Sequence, residues 1–193
     1  LRSKFAQSNN RSDSYFRNKG ETDRAILVHQ NLLARPELPS HYSSQVTFEM
    51  ARDYLAAGLL DRAEALLHQL MDDHNYGERA AKELIELYQR EREWGKAGQV
   101  ARTLMKNRLD PKLARELAYI TCELANDCLQ RDDRWGAQKL AREALAIDPG
   151  CVRASFILSS LQARQGNYRE AANLCLKVFE QNPEVGPQAV DRF

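Results

Sequence analysis

The chain of 193 residues carries 28 basic and 27 acidic side chains, a net charge of +1, and 43% hydrophobic residues. That is enough apolar material for a sizeable core, and the charge balance lacks the basic excess that a nucleic-acid binder usually carries on one face. No apolar run approaches the ~20 residues needed to cross a bilayer, no secretory signal is visible, and Leu1 in place of a methionine reads as a trimmed start.

Residues 1–11, LRSKFAQSNNR, are polar and lack a clean apolar stripe, the pattern of a frayed remnant of an earlier repeat. A helix is predicted over 22–34, where Ala25, Ile26, His29, Leu32 and Leu33 follow helical spacing, and Pro36 and Pro39 end it. The next helix, over 42–57, carries Val46, Met50, Tyr54 and Leu55 and is closed by Gly58. Its partner over 60–73 puts Ala63, Leu66, Leu67, Leu70 and Met71 on one stripe. Helices over 76–91 and 94–108 follow, the first presenting Ala80, Leu84, Leu87 and Tyr88, the second Ala97, Val100, Ala101 and Leu104. Asp110-Pro111, an N-cap before a proline at the first helical position, opens a helix over 111–131, paired with one over 134–147. Asp148-Pro149-Gly150 is a stop signal, after which helices over 151–165 and 168–181 are predicted. Residues 184–193, after Pro183, begin a further helix.

Five alanines organise these helices: Ala25, Ala63, Ala97, Ala137 and Ala171, separated by 38, 34, 40 and 34 residues. Each sits in a similar phrase: GETDRAI (20–26), GLLDRAE (58–64), REWGKAG (92–98), DRWGAQK (133–139) and GNYREAA (166–172). A period near 34 residues marks helical hairpins of the tetratricopeptide type. The expected fold is therefore all-α, a tetratricopeptide-repeat solenoid of about five antiparallel helix hairpins in a right-handed superhelix. The repeats fall at about 12–36, 41–74, 76–109, 111–148 and 151–183, between the remnant at 1–11 and the helix begun at 184–193. The fifth repeat keeps Gly166, Tyr168, Ala171 and Pro183 in the slots of the pattern, whereas the third has Arg92 where the turn glycine belongs. The 38- and 40-residue spacings place longer inter-repeat segments at 35–41 and around 109–116.

Little in the chain reads as catalytic. The cysteines, Cys122, Cys128, Cys151 and Cys175, are at least six residues apart and lie in predicted helices, which fits small reduced core residues better than CxxC zinc ligands. His68 and His74 are also six apart, not at the i, i+4 spacing of a helical zinc pair, so His29, His41, His68 and His74 are read as surface or packing residues. Asp72, Asp73, Asp132 and Asp133 fall at predicted helix ends and turns, as solvated groups would. GxGxxG, P-loop, GxSxG and HExxH motifs are absent, and Cys122, the one nucleophile considered, has no histidine in its repeat. Trp94, Trp135 and Tyr168, near the starts of second helices, are assigned to inter-helix packing.

An array of this kind works by binding, through an inner face lined by the first helices. Tetratricopeptide arrays commonly use positions two, five, nine and twelve of each repeat there. These are Gln45, Phe48, Arg52 and Leu55 in the second repeat, and Arg79, Lys82, Glu86 and Gln89 in the third. The fourth and fifth contribute Tyr119, Cys122, Asn126 and Leu129, then Arg153, Phe156, Ser160 and Ala163. Phe48, Arg52, Lys82, Glu86, Tyr119, Asn126, Arg153 and Phe156 are the candidate partner-binding residues. A clamp for a chaperone's C-terminal carboxylate needs lysine and asparagine at positions five and nine; Glu86 beside Lys82 would repel such a ligand.

The wording of several segments resembles one bacterial family. ARDYLAAGLLDRAEALLHQL (51–70) is similar to a segment of the lipopolysaccharide assembly protein B family, and GETDRAILVHQNLL (20–33) resembles the repeat before it. EWGKAGQVARTL (93–104), ITCELANDCLQRDD (120–133) and ARQGNYREAANLCLKV (163–178) follow in matching order. Members of that family have an N-terminal membrane helix, a cytoplasmic repeat array and a C-terminal rubredoxin-like zinc module with paired CxxC motifs; this chain resembles the array between them, so no cofactor is expected within it. The resemblance implies a non-enzymatic adaptor at the cytoplasmic face of the bacterial inner membrane. Its implied partners are a membrane AAA+ metalloprotease and the deacetylase that commits precursors to lipid A, whose turnover it would promote.

Overall fold

The computed structural model describes residues 22–36, 38–107 and 110–181. The predicted remnant at 1–11, the first half of the first repeat, Pro183 and the helix expected at 184–193 lie outside the described residues. Nine α-helices run through the described residues: α1 Thr22–Leu33, α2 Ser40–Ala56, α3 Leu60–Gln69, α4 Gly77–Arg90, α5 Trp94–Asn107, α6 Pro111–Gln130, α7 Arg134–Ile147, α8 Val152–Arg164 and α9 Tyr168–Gln181. They belong to two compact units, Leu1–Arg90 and Glu91–Phe193, the division falling inside the third predicted repeat.

The hairpin turns share one backbone device. Gly58 and Gly166 adopt φ of 72° and 82°, and Arg92 and Asp132 adopt 59° and 58° at the corresponding place, five residues before Ala97 and Ala137. Helices end naturally on such a left-handed residue because the chain can then turn and satisfy its last carbonyls. The following amide reaches back five residues in three of these turns: Leu59 N–H to the Tyr54 carbonyl at 2.8 Å, Asp133 to Cys128 at 2.8 Å and Asn167 to Gln162 at 2.9 Å. The glycine slot of the repeat is thus a conformational requirement, which Arg92 and Asp132 meet with strain that glycine avoids.

In the first unit α1 packs on α2, α2 on α3 and α3 on α4. Ile26, Met50, Tyr54 and Ala63 form one buried cluster, with Leu33, Leu55 and Leu66 packed against it. Leu67, Leu84 and Ile85 are fully buried. Helix α3 stops at Gln69, short of the predicted 73, because Asp73 diverts the chain. Its carboxylate accepts the N–H groups of Asn75 at 2.8 Å and Tyr76 at 2.9 Å, and the Ser44 hydroxyl at 2.5 Å. An aspartate that captures nearby amides competes with helix continuation and opens the next helix instead. These three donors also hold the Asp73 carboxyl below its usual range. The solvated helix end expected there is a structured cap.

In the second unit α5 packs on α6, α6 on α7, α7 on α8 and α8 on α9, with α8 also against α6. Its core is dominated by small residues: Ala118, Cys122, Ala125, Ala137, Ala141, Ala144 and Ala154 are wholly buried beside Ile157, Leu158 and Leu161. Side chains this small let helix backbones approach closely at high packing density. Asp110 accepts the Lys112 N–H at 2.9 Å, as a cap before Pro111 should, and Asp133 accepts the Gly136 N–H at 2.8 Å to start α7. Asp133 is therefore a cap as well, not merely a solvated turn residue. The longer inter-repeat segment expected around 109–116 is largely the start of the predicted helix: α6 begins at Pro111 and spans 20 residues, against 13 in α8. The other long spacing does contain a connection, between Leu33 and Ser40.

Candidate functional site

In the first unit the candidate residues lie on α2 and α4. Phe48 is 1% exposed and is a core side chain, so the expectation that it presents a contact surface is corrected. An aromatic ring at that point of α2 faces inward and supports a cation instead. The Arg79 guanidinium lies 4.5 Å from the Phe48 ring centroid and 5.2 Å from that of Tyr76, and the two rings are 5.5 Å apart. Cation–π attraction thus holds an exposed arginine over an apolar platform. Burial pushes the Tyr76 hydroxyl above its ordinary range, against the opposing pull of Arg79. Arg52 lies between two carboxylates, 3.7 Å from Glu49 and 3.5 Å from Glu83. Burial raises the Glu83 carboxyl, Arg52 opposes this, and Glu86 and Glu49 reinforce it. Lys82 is taken up by Glu78 at 2.7 Å, and Glu86 is exposed. The face therefore offers Arg79 amid a surplus of carboxylates, a poor receptor for an anionic peptide end.

In the second unit Tyr119 on α6 is 39% exposed and meets Trp94 edge-on, with centroids 6.1 Å apart at 82°. The Arg153 guanidinium lies 4.8 Å over the Tyr119 ring and pairs with Glu123 on α6. Arg153 opens α8 as Arg79 opens α4, and each covers a ring from an earlier helix of its own unit. Asn126 and Phe156 are half-buried. Tyr119 and Arg153, the latter held by the half-buried Glu123, form the best-defined exposed cluster among the candidates: an aromatic surface with a fixed cation, the composition that dominates binding hot spots.

Trp135 and Tyr168 are 74% and 71% exposed, which corrects their assignment to inter-helix packing. Both stand at the first turn of their helices, α7 and α9, and the Lys139 ammonium lies over the Trp135 ring at 5.7 Å. Of the three aromatics at such starts, only Trp94 is packed against a neighbouring helix, through Tyr119.

The cysteines also divide. Cys122 is buried on α6, while Cys128 and Cys175 are half-buried. Cys151 is not interior to a helix as expected: it is the half-buried N-cap of α8, with its sulfur 3.7 Å from that of Cys122. The Cys122 thiol thus has the Cys151 thiol as a neighbour. Among the described residues no three His, Cys, Asp or Glu side chains converge to hold a metal ion, and no helix is long and apolar enough to cross a membrane.

One buried constellation was missed in the sequence. His29 on α1 and Asp53 on α2, 1% and 0% exposed, meet at 2.6 Å between Nδ1 and Oδ2. The signal was present: both residues fall on apolar stripes, beside Ala25 and Ile26 and beside Met50 and Tyr54. A polar residue on such a stripe needs a buried partner. The pair is closed off from solvent and has a structural role.

Stacked antiparallel hairpins with left-handed turns and close-packed alanines make this a tetratricopeptide-type repeat protein. Among solved structures, MamA from AMB-1 matches with a TM-score of 0.56 at 15% identity, over 94% of each chain. MamA from Desulfovibrio magneticus RS-1 matches at 0.52 and 13%, over 92% of this chain and 95% of that one. At such identity the likeness is one of fold. No protein-family model matches. Two curated relatives are far closer in sequence. Lipopolysaccharide assembly protein B of Haemophilus influenzae is 35% identical over 170 residues, 88% of this chain and 42% of the relative. Its namesake in Escherichia coli K12 is 34% identical over 176 residues, 91% of this chain and 45% of the relative. Over about nine tenths of its length the chain is similar to proteins named lipopolysaccharide assembly protein B, and it spans less than half the length of these relatives.

Proposed function

We propose that this chain is the repeat region of a non-enzymatic adaptor that regulates lipopolysaccharide biosynthesis. It brings the deacetylase committing precursors to lipid A to a membrane AAA+ protease, at the cytoplasmic face of the bacterial inner membrane. The observation that carries this reading is the 34–35% identity along about nine tenths of the chain to proteins named lipopolysaccharide assembly protein B. The form of the molecule supports it. Helical hairpins offer surface rather than a closed pocket, and holding two proteins together raises their effective concentration without chemistry at the adaptor. The Tyr119–Arg153–Glu123 cluster is the first surface to assign to a partner.

Co-purification of the full-length protein from its native membranes tests the reading. The protease and the deacetylase should both be recovered. Recovery of neither contradicts the adaptor role and leaves a generic scaffold for envelope or signalling complexes.

A further inference from the structure

Cys151 and Cys122 stand apart from the other two cysteines because their sulfurs are within 3.7 Å of each other, across the contact between α8 and α6. Their surroundings differ. Cys122 is 0% exposed, in the alanine-rich core. Cys151 is half-buried at the N-terminus of α8, after the Asp148-Pro149-Gly150 turn. A sulfur at a helix N-terminus sits at the positive end of the helix dipole, which favours thiolate. A second thiol beside it can donate a hydrogen bond to that thiolate.

We propose that Cys151 and Cys122 form a peroxide-responsive oxidation site, with Cys151 as the attacked thiol and Cys122 as the resolving one. In the first step the Cys151 thiolate attacks a peroxide oxygen and the O–O bond breaks. Sulfur loses two electrons and becomes a sulfenic acid, while the departing hydroxide takes a proton and leaves as water when the oxidant is hydrogen peroxide. In the second step Cys122 gives up its proton and attacks the Cys151 sulfur. The S–O bond breaks, and the hydroxyl leaves with that proton as a second water. Two thiols and one hydrogen peroxide give one disulfide and two waters.

The environment sorts the roles. The Cys122 thiol, then the amides of Ala154 and Arg153, lower the Cys151 pKa, while burial and Asp148 oppose them. Cys122 is raised, first by its hydrogen bond to Cys151 and then by burial, so it is the poorer first nucleophile. Cys128 is raised as well, by burial and then Asp133. Closing the bond to about 2.05 Å requires the sulfurs to approach, and the short Pro149-Gly150 turn before Cys151 is the segment placed to yield. The link would lie near Arg153 and Glu123, two residues after Cys151 and one after Cys122.

The test uses the whole reduced chain and dilute hydrogen peroxide, followed by mass spectrometry of unreduced peptides. The expected result is loss of two hydrogens, a Cys122–Cys151 linked peptide pair, and reversal by dithiothreitol. In Cys122→Ser, Cys151 should stop at a sulfenic acid that dimedone captures; in Cys151→Ser, Cys122 should stay reduced. Iodoacetamide labelling of the unmutated protein near neutral pH is a second readout that needs no variant. Cys151 should react about tenfold or more faster than Cys128. Labelling of Cys151 no faster than Cys128, or oxidation of Cys151 without the linked pair, overturns the proposal.

Discussion

The first unit buries a hydrogen-bonded His–Asp pair and large rings among its alanines, where alanines dominate the core of the second. His29 and Asp53 meet out of reach of water between α1 and α2, and Phe48 lies under the Arg79 guanidinium. The second unit instead closes α6, α7 and α8 on side chains no larger than a methyl group at six positions. The difference teaches that one repeat pattern tolerates two kinds of specificity. Small residues fix a hairpin by letting backbones approach, so what they forbid is volume. A buried polar pair fixes it by demanding a partner, so what it resists is removal of either half.

The largest expected effect tests that contrast in the first unit. Asp53→Ala removes a buried hydrogen-bond partner of His29 and should destabilise the chain by about 1–3 kcal/mol in chemical denaturation. Replacing both residues by leucine should recover part of the loss, because neither half of the His29–Asp53 bond is then left facing the other's absence. An Asp53→Ala protein that unfolds like the parent would remove the pair from the account. The second unit should respond to volume: Ala141→Trp has no space to enter and should cost about 1–3 kcal/mol or more in the same assay. Unchanged stability would contradict the placement of Ala141 between α6 and α7.

Turn chemistry gives a smaller, two-sided effect. Gly58→Ala forces a left-handed conformation on a residue with a Cβ and should lose about 1–2 kcal/mol. Arg92→Gly relieves the same strain and should gain up to about 1 kcal/mol, the freer unfolded chain offsetting part of it. If both substitutions shift the midpoint the same way, the turns are not equivalent.

The smallest effect depends on pH. The folded-state pKa of Asp73 lies below its ordinary value, so the stability it adds is present above that value and is lost as pH falls through the folded one. Asp73→Ala should cost about 1 kcal/mol near neutrality, and the gap from the parent should close on acidification below about pH 4. A gap that stays constant through that range would mean the carboxylate charge plays no part.

What was legible in the sequence follows the same division. The alanine spacing placed the helices well because alanine at a close approach is a local, one-residue requirement, and Asp110 before Pro111 marked its helix start for a similar reason. The inner face was less legible. Repeat position located Arg79 and Arg153 on the first helices, yet the same rule put Phe48 on the surface, where a ring needed beneath Arg79 turns inward. The end of α3 and the N-cap role of Cys151 were hidden because each depends on a competition at a helix terminus that periodicity does not record. Exposure of Trp135 and Tyr168 reverses an expectation drawn from their place near the starts of second helices.

The adaptor account is tested most directly by the rate at which the membrane protease degrades the deacetylase in a reconstituted bilayer, with no adaptor, with the full-length protein, or with its Arg153→Glu variant. The account predicts faster degradation with the full-length protein, and a return toward the unassisted rate with Arg153→Glu while helicity and thermal stability are retained. A rate that the full-length protein does not change would contradict it.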